Sequence, residues 1–328
     1  MFRIFISILC IVFFIAFSSS SMAQTPSSEK KEKEKPAEQI LIEKGGVLLS
    51  RGTLQIEPGL QYSHFSRHRI SISGFTILEA IVIGEIAVHD LKRDILQAAL
   101  TARYGITSRF EAELKVPYLF RWDRDVRAPE TTDVSEKNIH DSGIGDIEGA
   151  LYYHLITAKG WVPDLILNVR AKARNGKDPY GLRTDAQGSL EELPMGNGHW
   201  GFSGGFTVVK VSDPAVFFGS LAYFWNVRRN VGQGIGTIDP GDSVEASLGV
   251  AYALSEKFSL STQYQQRISV RTKQNGQRVP GTFINAGTIF LGGSYNISKK
   301  TSVNLSVGLG LTTDAPDVQV VWTVPFNL

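Results

Sequence analysis

Three features of the sequence predict an all-β fold, an antiparallel transmembrane β-barrel of about twelve strands. Apolar and polar residues alternate along most of the chain, short and long connections alternate between those segments, and aromatic residues collect at the segment ends. The 328 residues include 34 Lys and Arg against 32 Asp and Glu, a net charge of +2. That balance excludes a polyanion binder acting through bulk basicity, so no nucleic-acid partner is expected. The single cysteine, Cys10, excludes a disulfide framework and a multi-cysteine metal cluster. A mean hydropathy of −0.05 without repeated long apolar runs excludes a bundle of membrane helices. It leaves a membrane barrel open, because alternation dilutes barrel hydrophobicity.

Residues 1–23 read as a secretory signal peptide. Arg3 precedes an apolar run from Ile4 to Phe17, and Ser21-Met22-Ala23 is a small-x-small cleavage pattern. A retained helical anchor is the alternative, and the run is short for one. Cys10 follows Leu9 in the middle of the run, so it is expected to leave with the signal. Residues 24–44 follow as a flexible periplasmic segment. Thr25–Gln39 mixes Glu, Lys and Pro with no large apolar residue, too little apolar surface to offset its ordering entropy. Ile40–Ser50 is expected to be a short helix or a plug-like stretch. Residues 45–328 are assigned to the barrel.

The clearest strand is Arg109–Trp122. Its even positions, from Phe110 to Trp122, are all apolar, and the odd positions carry Arg109, Glu111, Glu113, Lys115 and Arg121. A strand sends alternate side chains to opposite faces, so one face here is apolar and the other charged. Pro117 cannot donate to a ladder, and a bulge is expected there. The same alternation recurs in Ile95–Tyr104, Asp146–Leu155, Leu165–Arg174, Phe258–Arg271, Ser302–Leu311 and Val318–Leu328. Strands are expected near 53–65, 94–105, 109–122, 145–155, 164–174, 198–211, 215–227, 242–254, 257–271, 282–297, 301–312 and 317–328. Residues 66–92 either extend the first hairpin or add a pair of strands, which would make fourteen.

Connections near 105–109, 157–164, 212–214, 254–257 and 296–301 are short, while 123–144, 175–198, 229–241 and 272–281 are longer and polar. Short turns on one side and long loops on the other form the outer-membrane pattern. With the short turns on the periplasmic side, Tyr104, Phe110, Tyr153, Tyr252, Phe258 and Tyr295 fall at one membrane interface and Trp122, Trp200 and Trp225 at the other. Two aromatic girdles result. A soluble sandwich would not sort its rings to strand ends in this way. The apolar C-terminal strand, with Phe326 near its end, resembles the signal read by outer-membrane barrel-assembly machinery; the departure is that the last residue is Leu328, with the aromatic two places earlier.

Several short motifs resemble one bacterial family. They are Glu43-Lys44-Gly45-Gly46-Val47-Leu48-Leu49 leading into Gly52-Thr53-Leu54-Gln55-Ile56-Glu57-Pro58, then Tyr104-Gly105-Ile106-Thr107, Leu114-Lys115-Val116-Pro117-Tyr118, Gly143-Ile144-Gly145-Asp146-Ile147 and Gly241-Asp242-Ser243-Val244. In order and spacing they resemble the outer-membrane proteins grouped with the phenol meta-cleavage (MetA) degradation pathway. The resemblance implies an outer-membrane channel and does not name its solute.

A twelve-strand barrel tilted about 40° is roughly 24 Å across its backbone, with an open lumen about half as wide. That suits a small-molecule solute. The inward faces supply Arg103, Arg109, Glu111, Glu113, Lys115, Arg121, Glu148, His154, Arg170, Lys172, Arg174, Gln263, Gln265, Arg267 and Arg271 as pore-lining residues. Arg170, Lys172 and Arg174 read as a basic ladder on one strand with Glu111, Glu113 and Glu148 on nearby strands, a transverse field favouring anionic or polar solutes; aromatic compounds are the other solute class expected. The competing expectation is that these charges pair and fill the lumen of a structural or adhesive barrel.

Enzymatic signals are weak. Gly143-Ile144-Gly145-Asp146 lacks the third glycine and the helix of a dinucleotide fingerprint. His64 and His68 stand four apart in an extended or looped region, which does not suit a metal. His154 with a lumenal serine could imitate a barrel-embedded hydrolase, but there is no Gly-x-Ser-x-Gly elbow. No cofactor and no catalytic residue are expected. The outer-membrane lipid and the solute are the expected partners, and oligomeric state is not legible.

Overall fold

The computed structural model describes residues 48–66, 89–127, 135–183, 190–232 and 234–328. The expected signal peptide and tether, and the central part of 66–92, lie outside the described residues. All regular elements described are strands: β1 (Leu54–Phe65), β2 (His89–Thr107), β3 (Phe110–Arg127), β4 (Ser135–Ile144), β5 (Glu148–Ile156), β6 (Asp164–Lys172), β7 (Gly201–Ser212), β8 (Ala215–Asn226), β9 (Arg229–Asn230), β10 (Thr237–Asp239), β11 (Ser243–Ala253), β12 (Phe258–Ser269), β13 (Lys273–Gln274), β14 (Gln277–Arg278), β15 (Ile284–Ser298), β16 (Thr301–Gly310), β17 (Val318–Thr323) and β18 (Phe326–Asn327).

Fourteen of these segments form one antiparallel sheet, and β9, β10, β13 and β14 form a separate four-stranded sheet in the long loops. The fourteen make twelve staves. β4 and β5 both pair with β3 as one interrupted stave, and β17 and β18 both pair with β1 as another. The sheet closes where β1 meets β17 and β18, from His64↔Val318 down to Gln55↔Asn327. Closure removes the edge that a membrane could not solvate. It also settles the count at the expected twelve among the described residues.

Outside, the wall is a continuous apolar surface. Leu100, Leu114, Val169, Phe217, Leu248 and Leu291 are all more than half exposed. In a soluble fold such a surface would be costly; facing lipid it is the favourable arrangement.

Two expectations are corrected. The irregularity expected at Pro117 lies in the partner stave. β2 and β3 keep register through Ala99↔Pro117, while residues 145–147 break the run between β4 and β5. Gly145 N donates to Pro117 O at 3.0 Å across that break. The long polar loop expected at 123–144 is in large part a hairpin, because β3 continues to Arg127 and β4 returns from Ser135. On its outer face the hairpin carries the exposed polar residues Arg124, Asn138, His140 and Ser142, beyond the apolar belt. It is held from within by Arg93 Nε to Asp123 Oδ1 at 2.8 Å and Arg121 Nη2 to Asp123 Oδ2 at 3.0 Å. Similarly, β2 begins at His89, so part of 66–92 does extend the first hairpin.

Candidate functional site

The inward faces enclose a cavity of 460 Å³. Its walls combine amides (Gln61, Gln97, Asn168, Gln265, Gln319), rings (Tyr152, Phe224, Phe290) and charges (Lys115, Glu148, Arg170, Lys172, Glu245, Arg267). The charges alternate in sign. Glu148 pairs in register with Lys115 on one side and with Lys172 on the other. Arg170 donates to Glu148 at 2.7 Å, to Glu113 at 3.1 Å and to the Tyr152 hydroxyl at 2.9 Å. Arg267 meets Glu245 at 3.1 Å and lies over the Phe224 ring.

The short-turn end is narrowed from two sides. Val209, Val216, Phe218, Ala251 and Ala253 form an apolar cluster on the inward faces of β7, β8 and β11. Opposite, the chain before β1 turns into the barrel, and Leu48 and Leu49 are buried. Leu49 N donates to Glu111 Oε2 at 2.7 Å, and Arg103 Nε stands 2.8 Å from the same carboxylate. Glu111 is 0% exposed, so the Leu49 N–H and the nearby Arg103 charge are what balance it. Gly105 permits the approach, because a Cβ there would lie 2.7 Å from Leu49 O and nearer still to Ser50 O. A cavity of 60 Å³, lined in part by Gln55, Glu57, Arg103 and Asn327, remains at this mouth.

At the other end the β6–β7 connection folds inward. Leu193 and Met195 pack with Phe65, Ile95 and Leu119, a second apolar patch on the inner wall. Asp146 is the anchor. It accepts from Gly176 N and Asn197 N, each at 3.0 Å, and from Lys172 Nζ at 2.9 Å. Lys172 also donates to Asn197 Oδ1, and to His199 O at 3.0 Å. Arg121 Nη1 reaches Pro194 O at 2.6 Å. Outside the strands, an Arg183 hydrogen bond holds the Glu192 carboxyl below its usual range. Burial pushes the Tyr180 phenol up and the His199 imidazole down to about 4.

Of the expected pore-lining residues, the cavity brings together Lys115, Glu148, Arg170, Lys172, Gln265 and Arg267. Arg103, Glu111 and Glu113 sit inside toward the short-turn end, and Arg121 is buried under the inward loop. His154 pairs with Asp164 at 2.8 Å, and no serine bonds to its ring among the described residues. Arg109, Arg174 and Arg271 are exposed and lie outside the cavity lining, because each stands beyond the end of its strand. The basic ladder is therefore not a bare positive strip. Arg170 and Lys172 are ion-paired, and Arg174 is exposed and not part of the cavity lining.

Sequence reasoning missed Asp146, Glu245, Met195 and Asn197. Leu119, an apolar residue on the charged face of Arg109–Trp122, was the one signal that something packs there.

The expected girdle residues Tyr104, Trp122, Tyr153, Trp200, Trp225, Tyr252 and Tyr295 are exposed near the strand ends. Phe110 and Phe258 are half-buried beside Tyr153 and Tyr295. Trp161, in the β5–β6 turn, is 96% exposed and escaped notice because it lies outside any alternating segment.

Solved structures of other proteins are similar to this chain. The COG4313 outer membrane channel from Pseudomonas putida F1 is 16% identical, with 86% of this chain and 97% of that one covered at a TM-score of 0.59. The translocator domain of autotransporter NalP from Neisseria meningitidis is 9% identical, over 89% and 96%, at 0.45. The Pseudomonas putida toluene transporter TodX is 13% identical, over 93% and 96%, at 0.42. The first of these shows a shared outer-membrane barrel fold. The model of the family described as "Putative MetA-pathway of phenol degradation" matches residues 44–327, nearly the whole barrel, and the chain belongs to that family.

Proposed function

We propose that this protein is an outer-membrane channel for small solutes that rests in a narrowed state. The observation that carries the reading is the polar, ring-bearing cavity of 460 Å³, lined in part by Met195 of the inward β6–β7 segment, in a lumen that the segment before β1 also enters. Neither segment belongs to the barrel wall, so either could withdraw without breaking a ladder. The family description and the shared fold with an outer membrane channel support the same reading. Because most lumen charges offset one another, transport of small aromatic compounds needs no strong field. The exposed rings at the strand ends act as the two membrane-interface girdles. The C-terminal strand is the part offered to barrel-assembly machinery.

A second reading draws support from the ion pairs around Arg103 and Arg170, which fill the short-turn half of the lumen as a structural barrel would. Planar-bilayer recording separates the two. Purified full-length protein should give discrete conductance steps, and removing residues 24–50 should enlarge them. If neither form conducts above the lipid background, the filled barrel is the correct account.

A further inference from the structure

The cavity charges are not all committed. Arg170 is bonded to Glu113 and Glu148, Lys172 to Asp146, and Arg267 to Glu245. Lys115 also lines the cavity, yet among the described residues its side chain makes no ion pair and no hydrogen bond. Its register neighbour Glu148 is turned to Arg170 at 2.7 Å, and its neighbour on β2 is the neutral Thr101. The next lumen carboxylate in that register row is Glu57, beyond Thr101; it attracts Arg103 and Lys115 through space without forming an ion pair with Lys115, and it lines the small cavity at the short-turn mouth and not the central one.

From this we infer that Lys115 is the solute-facing cation of the channel and that the central cavity binds small anions with a ring body, such as an arene carboxylate. An ammonium in a partly desolvated lumen attracts an anion more strongly than one in bulk water, and its three donors suit a carboxylate. Gln61, Gln97 and Asn168 offer further N–H donors on the same wall, while Phe224 and Phe290 supply apolar surface for the ring. The preference for anions that a bare basic ladder would confer thus passes to a single residue. The inference rests on the channel reading, and it adds the solute class.

The test uses full-length protein with Lys115→Gln and Lys115→Glu, and Lys210→Gln as a control on the outer wall near a short turn. Reversal potentials in a salt gradient should show anion preference in the unaltered channel, a several-fold lower anion-to-cation permeability ratio with Gln, and inversion with Glu. Benzoate should reduce the current and its neutral counterpart benzyl alcohol should not. Calorimetric benzoate binding to detergent-purified protein should weaken about tenfold with Lys115→Gln, the loss expected for one charge-assisted bond. Conducting channels whose permeability ratio and benzoate response ignore Lys115 would overturn the inference while leaving the channel standing. Absence of conductance would instead overturn the channel reading. Calorimetry then still decides on Lys115, because equal benzoate binding with and without the lysine rejects the site.

Discussion

His199 is held by loop packing and lies just before β7. Its Nδ1 stands 2.8 Å from Val227 O, which can only accept, so that nitrogen carries the proton and Nε2 accepts from the Tyr180 hydroxyl at 2.7 Å. Burial is the first cause of its depressed pKa of about 4, with Arg229 and Lys172 acting in the same direction. The Val227 carbonyl and Asp178 oppose them. An unfolded histidine titrates near 6.5, so the folded form excludes a proton that the unfolded form takes up. Stability is therefore full above pH of about 6.5 and declines as pH falls toward 4, by about 3 kcal/mol in all. The part that yields is the inward loop, whose end His199 fixes. The open fraction in bilayer recordings should rise as pH falls from 6.5 to 4, and His199→Gln should flatten that response. An unchanged response in the variant would show that other groups control it.

The two inward segments are where element-scale behaviour departs from strand logic. The N-terminal stretch rests on Gly105, and Gly105→Ala would drive its Cβ into the carbonyls of Leu49 and Ser50. Overpacking of this kind costs about 1–3 kcal/mol, enough to expel a stretch this short. Gly105→Ala should therefore raise conductance toward that of the protein lacking residues 24–50. Gly149→Ala is the control, because its Cβ would meet only Glu113 O, at an ordinary 3.8 Å. For the β6–β7 loop the equivalent point is Asp146. Asp146→Ala strips the carboxylate from Lys172, which is 0% exposed, and breaking such a buried pair costs about 3–5 kcal/mol. Faster tryptic cleavage after Lys177 and Arg183 is the expected result, and an unaltered cleavage rate would show that the loop is held elsewhere. These contacts also mark the limit of what the sequence discloses. Alternation located the staves because a two-residue period needs only local reading. Asp146 meets partners as far away as Asn197, and no periodicity announces them. The β3–β4 hairpin was hidden for a related reason: Arg124, Asn138, His140 and Ser142 put polar residues where a stave would carry apolar ones, so it reads as loop.

At the scale of the whole molecule, stability depends on one seam. In lipid every ladder group must find its partner inside the protein, so a barrel open at one stave is not a partly stable barrel. The seam is weakest near Pro325, which separates β17 from β18 and has no N–H to give. Val324 N bonds Pro58 O at 3.0 Å just before it, and beyond it Leu328 N bonds Leu54 O at 2.8 Å. Gln55 Nε2 adds a bond to Asn327 Oδ1 at 2.8 Å. Removing Phe326–Leu328 would leave the seam edge of β1 unpaired at its short-turn end, at about 1 kcal/mol for each bond in water and more in lipid. Phe326→Ala keeps the backbone pairs and should cost much less. The readout is the fast-migrating band of unboiled protein on gels, which reports a closed barrel. Refolding into detergent micelles without any assembly machinery separates two roles of the same residues. If the truncated chain loses the fast band there, the last strand closes the barrel physically. If it refolds normally in micelles but fails to assemble in cells, those residues serve as the signal that the machinery reads, and the seam holds without them.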